Sequence, residues 1–580
     1  MATVLDLADQ WLRLDKEPAT RAEIQSLLAQ NNLDELEHRL STRLTFGTAG
    51  LRAQMGAGFA RLNSLTIIQT SQGLAEYLLS VLPNAAAHGI VVGHDARHNS
   101  QHFADLAAAV FESKGIVVWW YEDIVHTPLV PFAVKTLRAA AGIMITASHN
   151  PARDNGYKVY GSNGCQINSP EDASIATSIL LNLEPQTWTS QGSSLRRPVL
   201  TAMRSQYMHC LGQLPHLPGA GERSIRFVYT PMHGVGLRYM IPAAEMIGMK
   251  SGMTVVDQQG QPNPDFPTVN YPNPEEKGAL DLAISIAEEN GINLIIANDP
   301  DADRFAVAEK IADGWHQFTG DQVGVLLAHW MFSSISSQLT TDDIMLTTAV
   351  SSQMLSCMAE AEGFSVRETL TGFKWLGNVA QGLKEQGKRV HFAYEEALGY
   401  MFPSVVSDKD GITASVMFLS ACSKWGSPWT QLQRLYGKYG YFETTNTYWR
   451  SPNIQKTRAV FEAVRNIEQP FPSHVGHRKV VRWRDLTTGY DSATEKSVPD
   501  LPTSANTQML TCWLDGSDSD DGIRFTVRAS GTEPKIKIYL ECRSKHQKSA
   551  HEGAVEALQY LRQTWFRDPS LKMEDRSEDA

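Results

Sequence analysis

The 580-residue sequence lacks the features that mark several large classes of protein. No stretch approaches the roughly 18 apolar residues that a membrane-spanning helix needs, and the acidic, amphipathic start is unlike a signal peptide. No Asn-x-Ser/Thr glycosylation site occurs in the chain. The formal net charge is -11, which gives nucleic acid no overall electrostatic attraction. We therefore expect a soluble, cytosolic protein without a membrane or nucleic-acid partner.

Cysteine pairs and the common nucleotide-binding loops are also missing. The chain has no Cys-x-x-Cys spacing, so we expect reduced and mostly buried thiols, and neither a disulfide framework nor a zinc site. The cysteines are Cys165, Cys210, Cys357, Cys422, Cys512 and Cys542. Neither a Walker A loop nor a Gly-x-Gly-x-x-Gly loop occurs. A small anionic substrate is still compatible with this sequence, provided that a local group of cations binds it.

What the sequence does contain is an alternation of short apolar runs and amphipathic stretches. We predict strands at 89–95, 115–120, 141–148, 225–230, 293–300 and 389–396, and helices at 101–113, 277–290 and 371–387. Near-continuous apolar strands separated by helices are typical of α/β units with largely parallel sheets. Towards the carboxyl end we predict strands at 478–484, 508–514, 523–528 and 535–541, and then a helix at 546–564. A run of strands followed by a helix indicates an α+β domain.

The predicted fold class is α/β, with three α/β domains of mixed, largely parallel sheets and a C-terminal α+β domain around a central cleft. A chain of this length is expected to form several hydrophobic cores. Turn-rich stretches place the domains at 1–215, 216–320, 321–452 and 453–580.

A serine is the last residue of the predicted strand 141–148, and the segment Thr146-Ala-Ser-His-Asn-Pro151 leads out of that strand. Pro151 disfavours a helix at this point, so Ser148 is expected in a loop at the end of a buried strand. A serine hydroxyl in such a loop can accept and return a phosphoryl group if nearby cations offset its charge. His149 and Lys158 are candidate proton carriers or phosphate partners. On its own, the segment is equally compatible with an ordinary turn.

Three aspartates stand at the end of the predicted strand 293–300 and just beyond it, in the segment Asp299-Pro-Asp-Ala-Asp-Arg304. In an extended segment, alternate side chains point the same way, so the three carboxylates are expected to converge on a cation. Oxygen-only ligands favour Mg²⁺. A calcium-binding EF-hand loop is excluded, because its sixth and twelfth positions would be Arg304 and Lys310 instead of Gly and Glu.

Two further regions carry polar groups suited to a phosphorylated sugar. Glu395, in the segment 394–399, can accept hydrogen bonds from hydroxyl groups, and Lys409, in Ser407-Asp-Lys-Asp-Gly411, can serve as a general acid or base. The segment Arg528-Ala-Ser-Gly-Thr-Glu-Pro-Lys535 combines cations, hydroxyls and a glycine that exposes backbone N–H groups. Such a combination is typical of a phosphate cradle. Each motif alone is also compatible with a surface turn.

Taken together and in order, these motifs resemble the α-D-phosphohexomutase superfamily, over nearly the whole chain from Leu44 to the final helix. The segment Thr45-Phe-Gly-Thr-Ala-Gly-Leu-Arg52 also resembles the amino-terminal motif of that family. In this interpretation the four predicted domains carry, in order, a phosphoserine, a metal site, a sugar site and a phosphate site.

The resemblance implies a role for each residue. Ser148 carries the phosphoryl group and, with Asp299, Asp301 and Asp303, binds Mg²⁺. The other implied catalytic residues are His149, Lys158 and Lys409. The implied substrate-binding residues are Arg52, Arg304, Thr371, Gly372, Glu395, Arg528, Ser530, Gly531, Thr532 and Lys535.

The implied reaction is two phosphoryl transfers through a sugar bisphosphate, which is also the primer (glucose 1,6-bisphosphate or ribose 1,5-bisphosphate). The partners are then small phosphosugars. A monomer is the expectation, although no sequence feature speaks on the oligomeric state.

The sugar loop departs from the phosphoglucomutase pattern Gly-Glu-Glu-Ser-x-Gly. Here it is Tyr394-Glu-Glu-Ala-Leu-Gly399, so Ala397 lacks the hydroxyl that would contact the sugar. Losing one buried hydrogen bond costs about 0.5–1.5 kcal/mol, which weakens the case for glucose. The variant resembles a branch of phosphopentomutases that act on ribose or deoxyribose 1-phosphate. We therefore predict a phosphopentomutase with secondary phosphoglucomutase activity, with phosphoglucomutase proper and glucose-1,6-bisphosphate synthase as alternatives.

Two other classes are compatible with parts of the sequence. A phosphosugar-binding protein without catalysis would be expected to have lost the serine or the aspartates, and both are present. A metal-dependent phosphatase could use the same serine, and it would differ by releasing phosphate steadily.

Overall fold

The computed structural model describes residues 3–46, 50–189, 194–215, 217–218, 224–333, 335, 339–516, 521–530 and 534–574. The chain divides into two compact units. The first unit contains Met1–Ser336 and Gly372–Gly426, and the second contains Ser337–Thr371 and Ser427–Ala580. Among the described helices, none has the length and apolar character needed to cross a bilayer.

A layer of helices precedes the first sheet of the first unit. These helices are α1 Val4–Leu14, α2 Pro18–Ala29 and α3 Leu33–Leu40. Thr3 caps α1 through a reciprocal pair of hydrogen bonds with Asp6, which satisfies amide groups at the helix start. Trp11 of α1 is fully buried and lies edge-on to Phe59, with 5.2 Å between ring centres. The layer therefore packs on the segment that follows the first strand.

The first sheet is mixed and carries the predicted serine. Its strands are β1 Leu51–Gln54, β2 Ile90–His94, β3 Val118–Trp120, β4 Ala141–Ile145, β5 Asp154–Gly161 and β6 Arg196–Pro198. Its helices are α4 Ser64–Val81, α5 Ala85–His88, α6 Ser100–Ser113, α7 Leu129–Leu137, α8 Glu171–Leu181 and α9 Leu200–Gly212. The strand order is β1-β5-β4-β2-β3-β6, and the last four run parallel. Every residue of β2 and β4 is buried, which explains their continuous apolar runs.

The strands of the second sheet are β7 Phe227–Thr230, β8 Met253–Val255, β9 Leu294–Ala297, β10 Ala306–Ile311 and β11 Gly314–Gln317. Their order is β11-β10-β9-β7-β8, with β9, β7 and β8 parallel and the others antiparallel. Its helices are α10 Leu237–Met246, a 3-10 turn at Lys250–Gly252, α11 Asp257–Gly260 and α12 Asp281–Glu289. The predicted helix 277–290 starts later than expected, because Gly278 adopts a left-handed φ of 77°.

The remaining elements of the first unit present the predicted sugar loop. They are α13 Gly320–Ser333, α15 Phe373–Glu385, β14 Arg389–Glu395, β15 Gly399–Met401 and α16 Gly411–Trp425. β14 and β15 form an antiparallel hairpin in which Tyr394 lies opposite Tyr400. Asp410 caps α16 by accepting hydrogen bonds from the N–H groups of Ile412 and Thr413.

The second unit contains the predicted α+β region. Its elements are β12 Asp343–Thr348, α14 Met354–Glu362, β13 Ser365–Thr369, α17 Pro428–Tyr439, β16 Tyr441–Arg450, α18 Ile454–Arg465, β17 His474–Val475, β18 Arg478–Asp485, β19 Tyr490–Asp491, β20 Met509–Asp515, β21 Gly522–Ala529, β22 Lys535–Ser544, α19 Gln547–Thr564 and β23 Lys572–Glu574. β12 and β13 are parallel, and the sheet β17-β18-β20-β21-β22-β16-β23 is antiparallel. The predicted α/β class with a carboxy-terminal α+β region is confirmed.

Candidate active site

Ser148 lies in a buried loop directly after β4, as the sequence predicts. Its backbone has a left-handed φ of 53°, which is uncommon for a residue other than glycine and costs about 1–3 kcal/mol. Its N–H donates to the hydroxyl of Thr146 at 2.9 Å, and its own hydroxyl donates to Asp299 Oδ2 at 2.8 Å. The structure therefore brings the predicted nucleophile and the first predicted metal ligand into direct contact.

One buried arginine holds the main chain of this serine loop. The guanidinium of Arg97 donates hydrogen bonds of 2.6 to 3.2 Å to the main-chain carbonyls of Ser148, Asn150, Pro151 and Asp154. Its Nε lies 3.3 Å from the carboxylate of Asp95, which is also buried. Sequence reasoning missed Arg97, although its position just after the buried strand β2 was the kind of signal that singled out Ser148.

Two more cationic or ionisable groups flank Ser148. Arg52, at the start of the chain's first sheet, donates to the side-chain oxygen of Asn150 at 2.9 Å. His149 Nδ1 lies 3.3 Å from the Ser148 hydroxyl. Burial, together with the charges of Arg304 and Arg52, lowers the pKa of His149 well below its usual value. Arg52, an expected substrate-binding residue, and His149, an expected proton carrier or phosphate partner, therefore both lie beside the serine loop.

The three aspartates are fully buried in the loop between β9 and β10, and one oxygen from each lies within 4.8 Å of the others. The sequence predicts that an extended segment brings them together, and this prediction is wrong. The loop is a turn in which Ala302 has a left-handed φ of 53° and its N–H donates to the carbonyl of Asp299 at 2.9 Å. The turn, and not strand alternation, brings Asp299, Asp301 and Asp303 together.

Two lysines neutralise one side of the aspartate group. Lys158 Nζ lies 2.7 Å from Asp301 Oδ2 and 2.8 Å from Asp303 Oδ2, and Lys409 Nζ lies 2.7 Å from the same oxygen of Asp303. The hydroxyl of Thr127, a residue that sequence reasoning missed, donates to Asp301 Oδ2 at 2.6 Å. The Oδ2 oxygens of both carboxylates are thus occupied by donors.

The other oxygens of the same carboxylates are available to a cation. Asp301 Oδ1 and Asp303 Oδ1 are buried and have no hydrogen-bond partner within the described part of the chain. Buried carboxylate oxygens are normally satisfied, so these two call for a ligand. Oxygen donors at this separation suit Mg²⁺, and the residues present fit that ion.

The ionisation of the group reflects its crowding. Burial, reinforced by the charges of Asp301 and Asp303, raises the pKa of Asp299 to about 8. Burial also disfavours the charged form of Asp301, but Lys158 and Lys409 outweigh it and lower the pKa of Asp301. Similarly, burial opposes the ammonium charge of Lys409, whereas the carboxylates of Asp303 and Asp408 raise its pKa above the usual value. The centre therefore combines strongly paired charges with one carboxyl group whose pKa is raised by burial and by its neighbours.

Main-chain hydrogen bonds hold the aspartate loop from several directions within the first unit. Three N–H groups donate to carbonyl oxygens of the loop at 2.9 to 3.2 Å: Thr127 to Asp301, Val235 to Pro300, and Gly411 to Ala302. The approach of the last segment is close, because a Cβ atom on Gly411 would lie 2.2 Å from the carbonyl oxygen of Arg304. Segments far apart in sequence therefore fix the same loop.

The predicted sugar loop adjoins the aspartate loop. Gly399 and Arg304 form an antiparallel β-bridge, and the Arg304 guanidinium lies 3.6 Å from Glu275 and 3.3 Å from the side-chain oxygen of Asn273. Burial and the neighbouring Glu396 raise the pKa of Glu395 to about 7. Gly372, with a φ of 103°, is the residue before α15.

The predicted phosphate cradle belongs to the second unit. Arg528, at the end of β21, donates to the hydroxyl of Thr371. The N–H of Ser530 donates to the carbonyl of Lys535 at 2.8 Å, and the Lys535 ammonium lies 4.8 Å from the ring centre of Tyr448. The other two predicted members, Gly531 and Thr532, lie outside the described residues.

Comparisons with known proteins give this arrangement its family. Models of phosphoglucomutase/phosphomannomutase α/β/α domains I, II and III match residues 43–185, 205–312 and 319–439, and the model of the C-terminal domain matches 516–557. The chain belongs to the phosphoglucomutase/phosphomannomutase family, and is therefore an enzyme of the mutase type. The predicted place in the α-D-phosphohexomutase superfamily, on its phosphopentomutase-like branch, is confirmed.

Individual relatives carry more specific names. The chain is 43% identical to the phosphoribomutase of Saccharomyces cerevisiae, over 97% of this chain and 96% of that protein. It is 43% identical to human phosphopentomutase, over 92% and 90% of the two chains, and 40% identical to human glucose 1,6-bisphosphate synthase, over 93% and 90%. A phosphoglucomutase/phosphomannomutase family protein from Burkholderia thailandensis shares the fold, with a TM-score of 0.65 and 16% identity over 91% and 98% of the two chains.

Proposed function

We propose that this enzyme is a phosphopentomutase, which interconverts the 1-phosphates and 5-phosphates of ribose and deoxyribose through a phosphorylated Ser148. The observation that carries the proposal is the 2.8 Å contact between the Ser148 hydroxyl and Asp299, beside two buried carboxylates with unsatisfied oxygens. The relatives named phosphoribomutase and phosphopentomutase support the choice of a pentose. Secondary activity on glucose phosphates is part of the proposal.

We assign the metal to the aspartate loop. Asp299, Asp301 and Asp303, with an oxygen at Ser148, would hold Mg²⁺, which when bound offsets negative charge on the phosphoryl group. Arg52, which bonds to Asn150 of the serine loop, and Arg304, which lies beside Asp299, would add positive charge. Offsetting this charge is the main contribution of a protein to phosphoryl transfer.

The reaction is two transfers in opposite directions. In the first, a free hydroxyl of the sugar monophosphate attacks phosphoserine, a P–O bond to the sugar forms, and the bond to Ser148 Oγ breaks. Lys158 and Lys409, with His149, are assigned the proton that leaves the sugar hydroxyl and later returns. In the second, Ser148 Oγ attacks the other phosphate of the bisphosphate, the P–O bond to the sugar breaks and frees a sugar hydroxyl, and Ser148 becomes phosphorylated again.

Sugar recognition is assigned to the hairpin β14–β15 and to the phosphate cradle. Glu395 would accept hydrogen bonds from sugar hydroxyls, and Ala397 would leave one hydroxyl without a partner. In the second unit, Thr371, Arg528, Ser530 and Lys535 would bind a phosphate group, and Gly531, Thr532 and Gly372 complete the predicted set. Priming by glucose 1,6-bisphosphate or ribose 1,5-bisphosphate would supply the first phosphate.

The test compares kcat/KM for ribose 1-phosphate and glucose 1-phosphate, with Mg²⁺ and a trace of sugar bisphosphate. We expect preference for ribose 1-phosphate, almost no release of inorganic phosphate, and no activity in Ser148→Ala. Preference for glucose 1-phosphate would replace the proposal by phosphoglucomutase. Activity surviving in Ser148→Ala would overturn the mechanism.

Glucose 1,6-bisphosphate synthase is the second candidate, because a relative of that name is 40% identical over nearly the whole chain. It predicts net formation of a sugar bisphosphate from a sugar monophosphate and a separate phosphoryl donor. Turnover of neither 1-phosphate, combined with net bisphosphate formation, would favour it over the mutase.

A further inference from the structure

Thr127 connects the first sheet to the aspartate loop of the second. It lies between β3 and α7 in the segment His126-Thr127-Pro128 and is 1% exposed. It makes two hydrogen bonds to one residue that is 174 positions away in the sequence. Its N–H donates to the carbonyl of Asp301 at 2.9 Å, and its hydroxyl donates to Asp301 Oδ2 at 2.6 Å. Thr127 therefore holds both the main chain and the side chain of Asp301.

The two donors on Asp301 Oδ2 have different capacities to orient the carboxylate. Lys158 supplies a charge, but its ammonium is shared between Asp301 Oδ2 and Asp303 Oδ2. The Thr127 hydroxyl is aimed by a β-branched side chain, whose rotation is restricted. Its main chain is anchored to the same residue, and the following proline restricts it further. Thr127 is thus the rigid donor, and it leaves Asp301 Oδ1 without a partner among the described residues.

We propose that Thr127 is a positioning residue of the metal site, which turns Asp301 so that Oδ1 faces the cation. The inference rests on the metal site of the proposed function and deepens it. Groups that hydrogen-bond to metal-ligating carboxylates set their orientation, and their loss typically lowers metal affinity by about 10- to 100-fold. A threonine that served only to fill space would be replaced by valine without such an effect, since the two side chains have nearly the same shape.

The experiment measures Mn²⁺ binding to the full-length protein without any sugar, by electron paramagnetic resonance of the free ion. We expect Thr127→Val to weaken Mn²⁺ binding by about 10- to 100-fold. Thr127→Ser keeps the hydroxyl and is expected to stay within about threefold of the wild type. The matched control is Thr511→Val, which removes a buried hydroxyl that bonds to Thr526 in the second unit and is expected to leave Mn²⁺ binding unchanged.

The outcomes distinguish a failure of the role proposed for Thr127 from a failure of the proposed metal site. Wild-type affinity in Thr127→Val would overturn the role of Thr127, and equal weakening in Thr127→Ser would also contradict it, because the hydroxyl is retained. If Thr127→Val does not fold, as judged by circular dichroism, Thr127→Ala removes the hydroxyl without the added methyl group and is held to the same expectation. If the wild type does not bind Mn²⁺, the proposal of a metal site is wrong, and the proposed function is contradicted with it.

Discussion

Replacing Arg97 by methionine is expected to loosen the serine loop and slow the phosphorylation of Ser148. The substitution keeps an unbranched apolar stem but removes every guanidinium hydrogen bond to the loop carbonyls. It also leaves the Asp95 carboxylate, which is only 2% exposed, without its cation. The bonds from the Ser148 N–H to Thr146 and from its hydroxyl to Asp299 remain, so the part of the loop that becomes free to relax is its row of carbonyl groups.

The magnitude follows from burial on both sides of the ion pair. Removing one partner of a buried ion pair costs about 3–5 kcal/mol, because the other charge stays desolvated. That is a large share of the roughly 5–15 kcal/mol by which folded domains are stable. The matched control is Arg43→Met. Arg43 is half-buried, bonds to Gln69 and lies over the ring of Phe59, so its loss should cost about 0.5–1.5 kcal/mol.

The assay has to be local, since a chain of several domains does not unfold in a single two-state step. Hydrogen–deuterium exchange of peptides covering 146–156 reports the loop, and intact mass follows the phosphorylation of Ser148 by a sugar bisphosphate. We expect faster exchange and slower phosphorylation in Arg97→Met, with neither change in Arg43→Met. Wild-type exchange in this loop would refute the reasoning.

A double substitution separates the two causes. Asp95→Asn in the Arg97→Met background removes the unpaired charge and leaves the loop carbonyls without their donor. Recovery of loop protection would show that the buried charge causes the damage, whereas no recovery would assign it to the carbonyls.

Two further outcomes are expected. Burial raises the pKa of Glu395 to about 7, so below that pH its carboxyl group is protonated and cannot accept two hydrogen bonds from the sugar. We therefore expect kcat/KM to fall as the pH drops through 7. Glu395→Gln should be slow at every pH and should not show this fall. A pH profile unchanged by Glu395→Gln would contradict the assignment. Gly411→Ala should lower the temperature at which the protein first unfolds, because its Cβ would lie 2.2 Å from the Arg304 carbonyl oxygen and force a shift that costs about 1–3 kcal/mol. Gly382→Ala, in open space on α15, is the control and should be neutral or stabilising in thermal unfolding.

Much of the fold could be predicted from hydrophobic patterning. The strands β2, β4 and β9 are buried throughout, and continuous apolar runs of that kind are found in the centre of parallel sheets. Element ends were predicted less well where a left-handed residue intervenes. The strand β4 ends at Ile145, ahead of the left-handed Ser148 with which the predicted strand 141–148 ends, and the left-handed Gly278 delays the predicted helix 277–290. Left-handed geometry at a serine has no signature in residue type, since the tertiary hydrogen bonds impose it.

The residues proposed to carry the chemistry could be predicted from residue type, but the residues that position them could not. Ser148 and the aspartates stand out because a nucleophile or three carboxylates directly after an apolar strand have few structural uses. Arg97 and Thr127 look like ordinary turn residues, and their roles depend on which strands are neighbours. β2 and β4 pair in parallel, with His94 opposite Ile145, so the loops that follow both strands leave the same edge of the sheet. Once that pairing is known, a cation after β2 is expected to reach the carbonyls after β4. The pairing itself is a long-range choice that one sequence does not encode locally, and this is why the positioning residues emerge only from the structure.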